Sequence, residues 1–322
     1  MIEKEIMIQG NDPIFGTLTF PEEDVTYPAL LLLPGSGPVD RDGNDRKGKY
    51  QTNLYKDLAH FMTGLGFAVL RFDKRGTGKR GGDWMAAGLS DLTSDAKSAM
   101  KFLRAHPNVD QENVIVCGHS ERTIIATILA ETMNPAGCML LSGGVDNLMQ
   151  ALHHQRQLAY KELFELPGFK GWINRTLKVD VKNEKKTEKL LEKMKKSDED
   201  IIKIQFFFKQ PAKWFREHSD YDTRAALKKV TCLVFALHGD KDPLVESRVL
   251  EELDELVQGK SEYHIIHNME HGLRVQDEER SMLKMKKIFK EVLKRPLHEE
   301  GLEKMAGWLN SHFKTKDVSG SK

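Results

Sequence analysis

Cysteine is scarce in this sequence, which has three cysteines in 322 residues. Cys117, Cys138 and Cys232 are odd in number, and their spacing does not match a metal site. Each lies in an apolar run that is typical of a strand, so we expect buried free thiols. Free thiols persist in a reducing compartment, and the cysteine pattern therefore favours a cytoplasmic protein over a disulfide-bonded one.

Long apolar runs and an excess of charge of one sign are also missing. No run approaches the roughly 20 apolar residues of a membrane span. The start, MIEKEIMIQG, lacks the continuous apolar core of a signal peptide. The formal net charge is +1, so composition gives no reason to expect nucleic acid or an anionic membrane as a partner. With 39% hydrophobic and 30% charged residues, the composition predicts a globular chain.

The order of the apolar segments predicts an α/β protein. Continuous apolar strands such as PALLLL, GFAVLRFD and NVIVCGH alternate with segments of helical spacing. Strands that are apolar on both faces indicate a mostly parallel sheet with helices on both sides. The alternation stops near residue 145, and a lysine-rich helical segment follows. We therefore predict a core of residues 1–144 and 229–322 and an inserted helical cap of residues 145–228.

Three groups of polar residues follow predicted strands, where open α/β sheets place their sites. Ser120 follows NVIVCGH, Asp240 and Asp242 follow TCLVFALHG, and His267 and His271 follow EYHII. A serine nucleophile needs a base to take its proton, and the base needs a carboxylate that orients it and stabilises its cation. The sequence supplies these groups in the order serine, aspartate, histidine, which is the order of the α/β-hydrolase fold.

The segment VIVCGHSERTIIA predicts the local geometry of the serine. A β-branched run ends in Gly118-His119-Ser120, and a helical pattern follows at once, which is the layout of a nucleophile elbow. An ordinary helix N-cap is the alternative for Ser120. The elbow pattern G-x-S-x-G has glycine two residues after the serine, whereas this sequence has Arg122 there.

Several motifs together resemble those of bacterial α/β-hydrolases of the serine esterase and aminopeptidase-like group. LLLPGSGPVDRDGN is similar to that group's oxyanion loop, FDKRGTGKRGGD to its post-strand turn and GHSER to its elbow. HGDKDPLV is similar to its acid loop and NMEHGL to its histidine loop. The resemblance covers residues 1–144 and 230–313 and implies the α/β-hydrolase fold; the cap segment is not covered.

The resemblance also implies a role for each candidate residue. Ser120 would be the nucleophile, His271 the base and Asp242 the acid. The backbone amides of Ser36 and Glu121 would form the oxyanion hole. A triad of this kind needs no cofactor, and we expect none.

Two of the candidate positions have alternatives. Asp240 is the other candidate acid, but the acid of the resembled group lies three residues past the glycine of its loop, which selects Asp242. We then expect Asp240 to cap a loop. Because His267 still belongs to a predicted strand, we expect it to be a packed or surface histidine.

Two further motifs fit cofactor or metal sites poorly. Residues 76–81 match G-x-G-x-x-G, but a dinucleotide-binding turn opens a helix at once, and GGDWMAAG intervenes here. DRDGND has its glycine at the fourth place, whereas a calcium-binding EF-hand loop has it at the sixth. We expect neither a dinucleotide cofactor nor a metal ion. We expect the charged residues of DRDGND to form instead an ion-pair network that supports the oxyanion loop.

Arg122 and the cap aromatics bear on the substrate. An arginine at the elbow cannot be buried without compensation, so it must pair with an acid or point into the mouth of the site. Bulky residues in IIKIQFFFKQPAKWF, among them Phe207 and Trp214, are candidates for a substrate-binding wall.

The sequence thus predicts hydrolysis of a small-molecule carboxylic ester through an acyl-enzyme. An aminopeptidase-like peptide hydrolase is one alternative. A weakened or non-catalytic binding protein of the same fold, suggested by Arg122, is another. Assembly into a homo-oligomer is left open.

Overall fold

One mostly parallel sheet organises the chain, whose computed structural model describes residues 1–9, 12–45, 47–204 and 208–313. The strands of these residues are β1 (Ile2–Ile8), β2 (Ile14–Phe20), β3 (Tyr27–Leu33), β4 (Ala68–Phe72), β5 (Val109–His119), β6 (Gly137–Leu141), β7 (Ile201–Ile204), β8 (Phe208–Pro211), β9 (Leu233–Gly239) and β10 (Ser261–Ile266). The sheet order is β1-β2-β4-β3-β5-β6-β9-β10. β1 and β2 pair antiparallel and β2 joins β4 antiparallel, whereas the remaining neighbours are parallel. The predicted α/β class is confirmed.

Helices cover both faces of this sheet. The helices of the described residues are α1 (Leu54–Gly64), α2 (Leu89–Arg104), α3 (Arg122–Met133), α4 (Leu148–Glu165), α5 (Phe169–Thr176), α6 (Val179–Lys196), α7 (Ala212–Asp220), α8 (Thr223–Leu227), α9 (Leu253–Leu256), α10 (Met285–Val292) and α11 (Glu299–Phe313). A 3₁₀ turn, Ser247–Glu252, precedes α9. None of these helices is both long enough and apolar enough to cross a membrane.

The central strands bury side chains on both faces, as their continuous apolar runs predict. Leu31 and Leu33 of β3 pack into a cluster with α2 and α3. Leu30 and Leu32 alternate with them and pack on the other face, with α1 and α11. The three cysteines are free and buried, as expected. Burial raises the pKa of the Cys117 thiol, which disfavours its reactive thiolate form.

Between β6 and β9 the chain forms α4 to α8 and the two-stranded β7–β8 hairpin. Part of this segment has a small hydrophobic cluster of its own, in which Met194, Ile202 and Ala212 are buried and Phe215 is packed against them. By contrast, Leu227 of α8 packs in the main core. The division into a core and a cap of residues 145–228 stays a proposal.

Candidate active site

Ser120 lies between the end of β5 and the start of α3. Its φ angle is +57°, a left-handed conformation that non-glycine residues rarely adopt. A Cβ atom on Gly118 would lie 2.4 Å from the carbonyl oxygen of Arg122, so glycine is needed where the helix crosses back over the strand. The Ser120 amide donates to the Leu141 carbonyl oxygen at 2.8 Å, which fixes the turn to β6. This is the strained strand-to-helix geometry of a nucleophile elbow.

The loops that follow β9 and β10 bring an acid and a base to this serine. His271 Nε2 lies 2.9 Å from Ser120 Oγ, and His271 Nδ1 lies 2.7 Å from Asp242 Oδ2. Asp242 Oδ1 accepts a hydrogen bond from the Leu244 amide at 2.7 Å, which orients the carboxylate. The three predicted catalytic residues therefore form one hydrogen-bonded line from serine to carboxylate.

The electrostatics of the line suit proton transfer from the serine. Burial lowers the pKa of His271, but the charge and hydrogen bond of Asp242 outweigh burial, and the net pKa is above its usual value. Burial raises the pKa of Asp242, but His271 outweighs burial there too, and its net pKa is lowered. The acid therefore stays ionised beside a histidine that can become a cation.

Asp240, the alternative acid, lies elsewhere. Its Oδ2 is 2.6 Å from His267 Nδ1, and its Oδ1 accepts from the Asn268 amide at 2.8 Å. His267 is exposed. Asp240 thus caps the loop after β10 and makes no hydrogen bond to His271.

The two predicted oxyanion donors belong to residues of the cavity that contains the serine. Ser36, Ser120 and Glu121 line a common cavity. Within the described residues, no acceptor is present for the amide of Ser36 or of Glu121. Two free amides beside a nucleophile are the arrangement that stabilises the oxyanion of a tetrahedral intermediate.

Lys74, which follows β4, holds the oxyanion loop and was not singled out from the sequence. Its Nζ donates to the carbonyl oxygens of Gly35 and Gly37, the latter at 2.8 Å. These two carbonyls flank Ser36. Burial, with a smaller effect from the charge of Arg122, lowers the pKa of Lys74 to about 7. Its position at the carboxyl end of a strand was the available sequence signal.

The charged part of the oxyanion loop is pinned by ion pairs, as the sequence suggested. Arg41 Nη2 lies 2.7 Å from Asp73 Oδ2, and Arg71 Nε lies 2.7 Å from Asp42 Oδ1. Asp40 Oδ1 accepts from two amides of its own loop at 2.9 Å. Neither Asp40 nor Asp42 pairs with Arg122.

Arg122 is buried and paired with its neighbour in sequence. Its Nη1 donates to Glu121 Oε1 at 3.1 Å. The same carboxylate oxygen accepts from Trp214 Nε1 at 2.8 Å and lies 3.0 Å from His218 Nε2, so α7 is tied to the elbow. Burial raises the pKa of Glu121, but the charge of Arg122 and the contacts with His218 and Trp214 outweigh burial and lower it. The expected acidic partner of Arg122 is therefore Glu121.

Tyr55 and His119 form a second network that the sequence did not reveal. The Gly35 amide donates to Tyr55 Oη at 2.7 Å, and Tyr55 Oη lies 3.0 Å from His119 Nδ1. His119 Nε2 lies 2.8 Å from the carbonyl oxygen of His271. Burial lowers the pKa of His119 to about 3, which keeps the ring neutral. A neutral ring that accepts at Nδ1 and donates at Nε2 satisfies both contacts.

Two cavities meet at Ser120 and His271. The larger has a volume of about 410 Å³ and extends under α10. The smaller, of about 220 Å³, extends toward α4 and includes Trp214 in its wall. Phe207 lies outside the described residues. Of the predicted substrate-binding residues, Trp214 lines the smaller cavity, and Arg122 lines a third of about 210 Å³ beside Ser36.

Across residues 1–9, 12–45, 47–204 and 208–313, no group of three or more His, Cys, Asp or Glu side chains is arranged to hold a metal ion.

Comparison with known proteins gives both a family and structural relatives. A family model described as serine aminopeptidase, S33, matches residues 49–278. Esterase EstD from Thermotoga maritima is 26% identical over 240 residues, and the alignment spans 74% of this chain but about half (52%) of EstD. Among solved structures, ferulic-acid-bound Est1E from Butyrivibrio proteoclasticus aligns with a TM-score of 0.58 at 14% identity, covering 90% of this chain and 98% of Est1E. The α/β-hydrolase GrgF from Penicillium sp. sh18 aligns with a TM-score of 0.59 at 13% identity, covering 97% and 99%. These structures share the fold.

Proposed function

The chain belongs to the serine aminopeptidase S33 family of α/β-hydrolases, and on that premise we propose that it hydrolyses carboxylic esters through a Ser-His-Asp triad. One observation carries the proposal. A strained serine with φ of +57° shares one hydrogen-bonded line with His271 and Asp242 and opens onto two cavities. The similarity to esterase EstD supports an ester as the substrate.

The proposed reaction follows from the roles of these atoms. His271 Nε2 takes the proton of Ser120 Oγ as the oxygen attacks the ester carbonyl carbon. The carbonyl oxygen becomes an oxyanion that accepts from the amides of Ser36 and Glu121, and each such donor is worth about 3 kcal/mol in comparable enzymes. The intermediate collapses, and the alcohol leaves with the proton from His271. Water, deprotonated by His271, then attacks the acyl-enzyme and releases the carboxylic acid and Ser120.

Ser120→Ala tests the proposal. We expect the wild-type chain to hydrolyse p-nitrophenyl acetate and to be labelled by a fluorophosphonate, and the variant to lose both. The loss should be large because nucleophile, base and acid act as a unit. Ser94→Ala on the exposed side of α2 is the matched control and should retain both. A Ser120→Ala variant that keeps most of its turnover would contradict the proposal.

Peptide cleavage is the second candidate function, and one observation favours it. Asp146 and Glu246 line the smaller cavity with Ser120, where a carboxylate could bind a substrate ammonium group. However, Asp146 lies 3.5 Å from Arg224, and Glu246 lies 3.5 Å from His154. Because both carboxylates have cationic or titratable partners, we expect kcat/KM for p-nitrophenyl acetate to exceed that for leucine p-nitroanilide. The reverse order would favour the peptidase.

A non-catalytic binding protein is the remaining alternative, and it rested on Arg122. The guanidinium is paired with Glu121 and leaves the Ser120–His271 hydrogen bond in place. Labelling of Ser120 by the fluorophosphonate would exclude this alternative.

A further inference from the structure

α10 presents an apolar stripe to a cavity, and among the four residues of the stripe only Val292 is fully buried. Met285, Ile288, Phe289 and Val292 recur at the spacing i, i+3, i+4, i+7, which places them on one face of the helix. Such a stripe ordinarily packs against the core. Here all four residues line the 410 Å³ cavity, and none of them belongs to either main core cluster. The stripe therefore forms a wall around empty space beside Ser120.

Polar contacts at both ends hold α10 over this cavity. Before the helix, Glu162 of α4 accepts from Ser281 Oγ and from the Met282 amide, both at 2.6 Å. After it, Arg295 donates to Glu278 at 2.8 Å, and Arg274 donates to the Arg295 carbonyl oxygen at 2.6 Å. The segments that flank α10 are thus tied to α4 and to the histidine loop by polar contacts.

Phe289 also contacts another aromatic residue of the cavity wall, and the two rings are tilted by 59°. Its ring centroid is 5.5 Å from that of Tyr50, which lies between β3 and α1. The two rings therefore add aromatic surface to the cavity wall. The cavity wall then runs from the oxyanion loop through α10 to the triad.

The buried polar groups on the wall have partners within the protein. Arg274 Nη2 donates to the Thr52 carbonyl oxygen at 2.7 Å, and the Glu270 carboxylate accepts from the Arg274 amide at 3.1 Å. Tyr55 Oη is held between Gly35 and His119. A ligand in this cavity gains little from hydrogen bonds and is selected by apolar surface and shape.

We propose that this cavity binds the larger, apolar substituent of the substrate ester, a medium-chain alkyl or an aromatic group, with α10 as its wall. The proposal rests on the ester hydrolysis proposed above. It assigns size selection to α10, whereas the sequence had suggested the cap aromatics. A volume of 410 Å³ lies in the range of small-molecule sites, about 300–1,000 Å³. The smaller cavity then receives the smaller substituent.

Ile288→Trp, which fills the cavity, tests the assignment by a preference ratio. One substrate series varies the acyl group, p-nitrophenyl acetate against octanoate, and the other varies the alcohol, methyl against octyl acetate. We expect the long-to-short ratio of kcat/KM to fall at least about tenfold in one series, since a hydrophobic pocket discriminates by roughly 10–200-fold per methylene-sized change. The series affected identifies which substituent the cavity binds. Lys290→Ala, on the exposed face of α10, should leave both ratios unchanged. Unchanged ratios in Ile288→Trp would overturn the proposal.

A binding measurement separates failure of this proposal from failure of the proposed function. Ser120→Ala should bind Nile red with a fluorescence increase, and p-nitrophenyl octanoate should displace the dye. Adding Ile288→Trp should weaken dye binding at least about tenfold, in line with pocket discrimination. Binding that depends on Ile288 would support the cavity assignment even if Ser120 proved unreactive. A Nile red affinity that Ile288→Trp leaves unchanged would overturn the assignment even if the triad is active.

Discussion

At the residue scale, the hydrogen-bond partners of Asp240 and Asp242 decide which of the two carboxylates can act as the acid beside His271. Asp240 and Asp242 are two residues apart, yet their hydrogen-bond partners differ. Asp240 contacts the Asn268 amide and His267, whereas Asp242 contacts His271. Asp240 therefore stabilises a loop. Asp242 holds His271 in the tautomer that can accept a proton at Nε2.

This difference predicts unequal effects of matched substitutions. Asp242→Asn should lower kcat by about 10⁴-fold, as loss of the acid does in a well-studied serine protease, because an amide favours the wrong histidine tautomer. Asp240→Asn should change kcat by much less. Asp242→Asn should also move the acid limb of the kcat/KM profile to lower pH, since the carboxylate raises the pKa of His271 and only the neutral ring can accept a proton. Equal losses of kcat in the two variants would contradict this assignment.

Arg122 is a second residue whose partner decides its role. The guanidinium is buried and compensates the buried carboxylate of Glu121, whose backbone amide is a proposed oxyanion donor. Removing one partner of a buried pair leaves the other charge uncompensated. Arg122 is thus required by Glu121, and the absent elbow glycine does not imply an absent active site.

A double-mutant cycle tests this pairing. Arg122→Met should lower the free energy of unfolding by about 3 kcal/mol. Glu121→Gln in the same chain should restore part of that loss, because the uncompensated charge is gone. Chemical denaturation would measure both effects. Arg248→Met, at an exposed arginine, is the control and should change stability by less than about 0.5 kcal/mol. Additive effects of the two substitutions at 121 and 122 would exclude coupling between them.

At the element scale, the sequence predicts strands and strand ends better than it predicts contacts between loops. The apolar runs predict the buried strands. The strand ends predict that Ser120, Asp242 and His271 lie close together, because parallel strands bring their carboxyl ends to one edge of the sheet. Tyr55 lies 64 positions from His119, and no local pattern indicates that their side chains meet. The stripe of α10 has the spacing of a core-facing helix, and periodicity cannot tell a core from a cavity.

The contacts of Tyr55 with Gly35 and His119 lead to a testable prediction. Tyr55→Phe removes the hydroxyl that accepts from Gly35 and meets His119, which leaves two buried polar groups without that partner. We expect a loss of stability of about 1–3 kcal/mol and a lower kcat, because Gly35 precedes the oxyanion donor Ser36 and His119 holds the His271 backbone. Thermal unfolding and ester kinetics would measure these effects.

Tyr263→Phe, on β10, is the matched control for Tyr55→Phe. It removes a tyrosine hydroxyl that lies away from this network and should leave kcat unchanged. A Tyr55→Phe variant that loses stability but keeps the full kcat would show that the network supports the fold and does not position the catalytic groups.

At the scale of the whole molecule, the site joins separate parts of the chain. The loops after β5, β9 and β10 carry Ser120, Asp242 and His271, α10 forms a wall of the larger cavity, and α7 contacts the Glu121 carboxylate. Trp214 Nε1 and His218 Nε2 both approach Glu121 Oε1, so the position of α7 is linked to the residue whose amide we propose as an oxyanion donor. The chain between β6 and β9 therefore contacts the residue after Ser120 through α7 and also forms part of the wall of the smaller cavity.

Trp214→Phe tests this link because it keeps an aromatic ring and removes the N–H donor. A hydrogen bond to a charged group is worth about 1.5–3 kcal/mol, so α7 should open more often and its amides, residues 212–220, should exchange hydrogen faster. Ester hydrolysis should slow at the same time, since Glu121 is held less firmly. Trp172→Phe, at an exposed tryptophan of α5, is the matched control and should change neither quantity. Faster exchange in α7 with an unchanged kcat would show that α7 covers the site without ordering the proposed oxyanion hole.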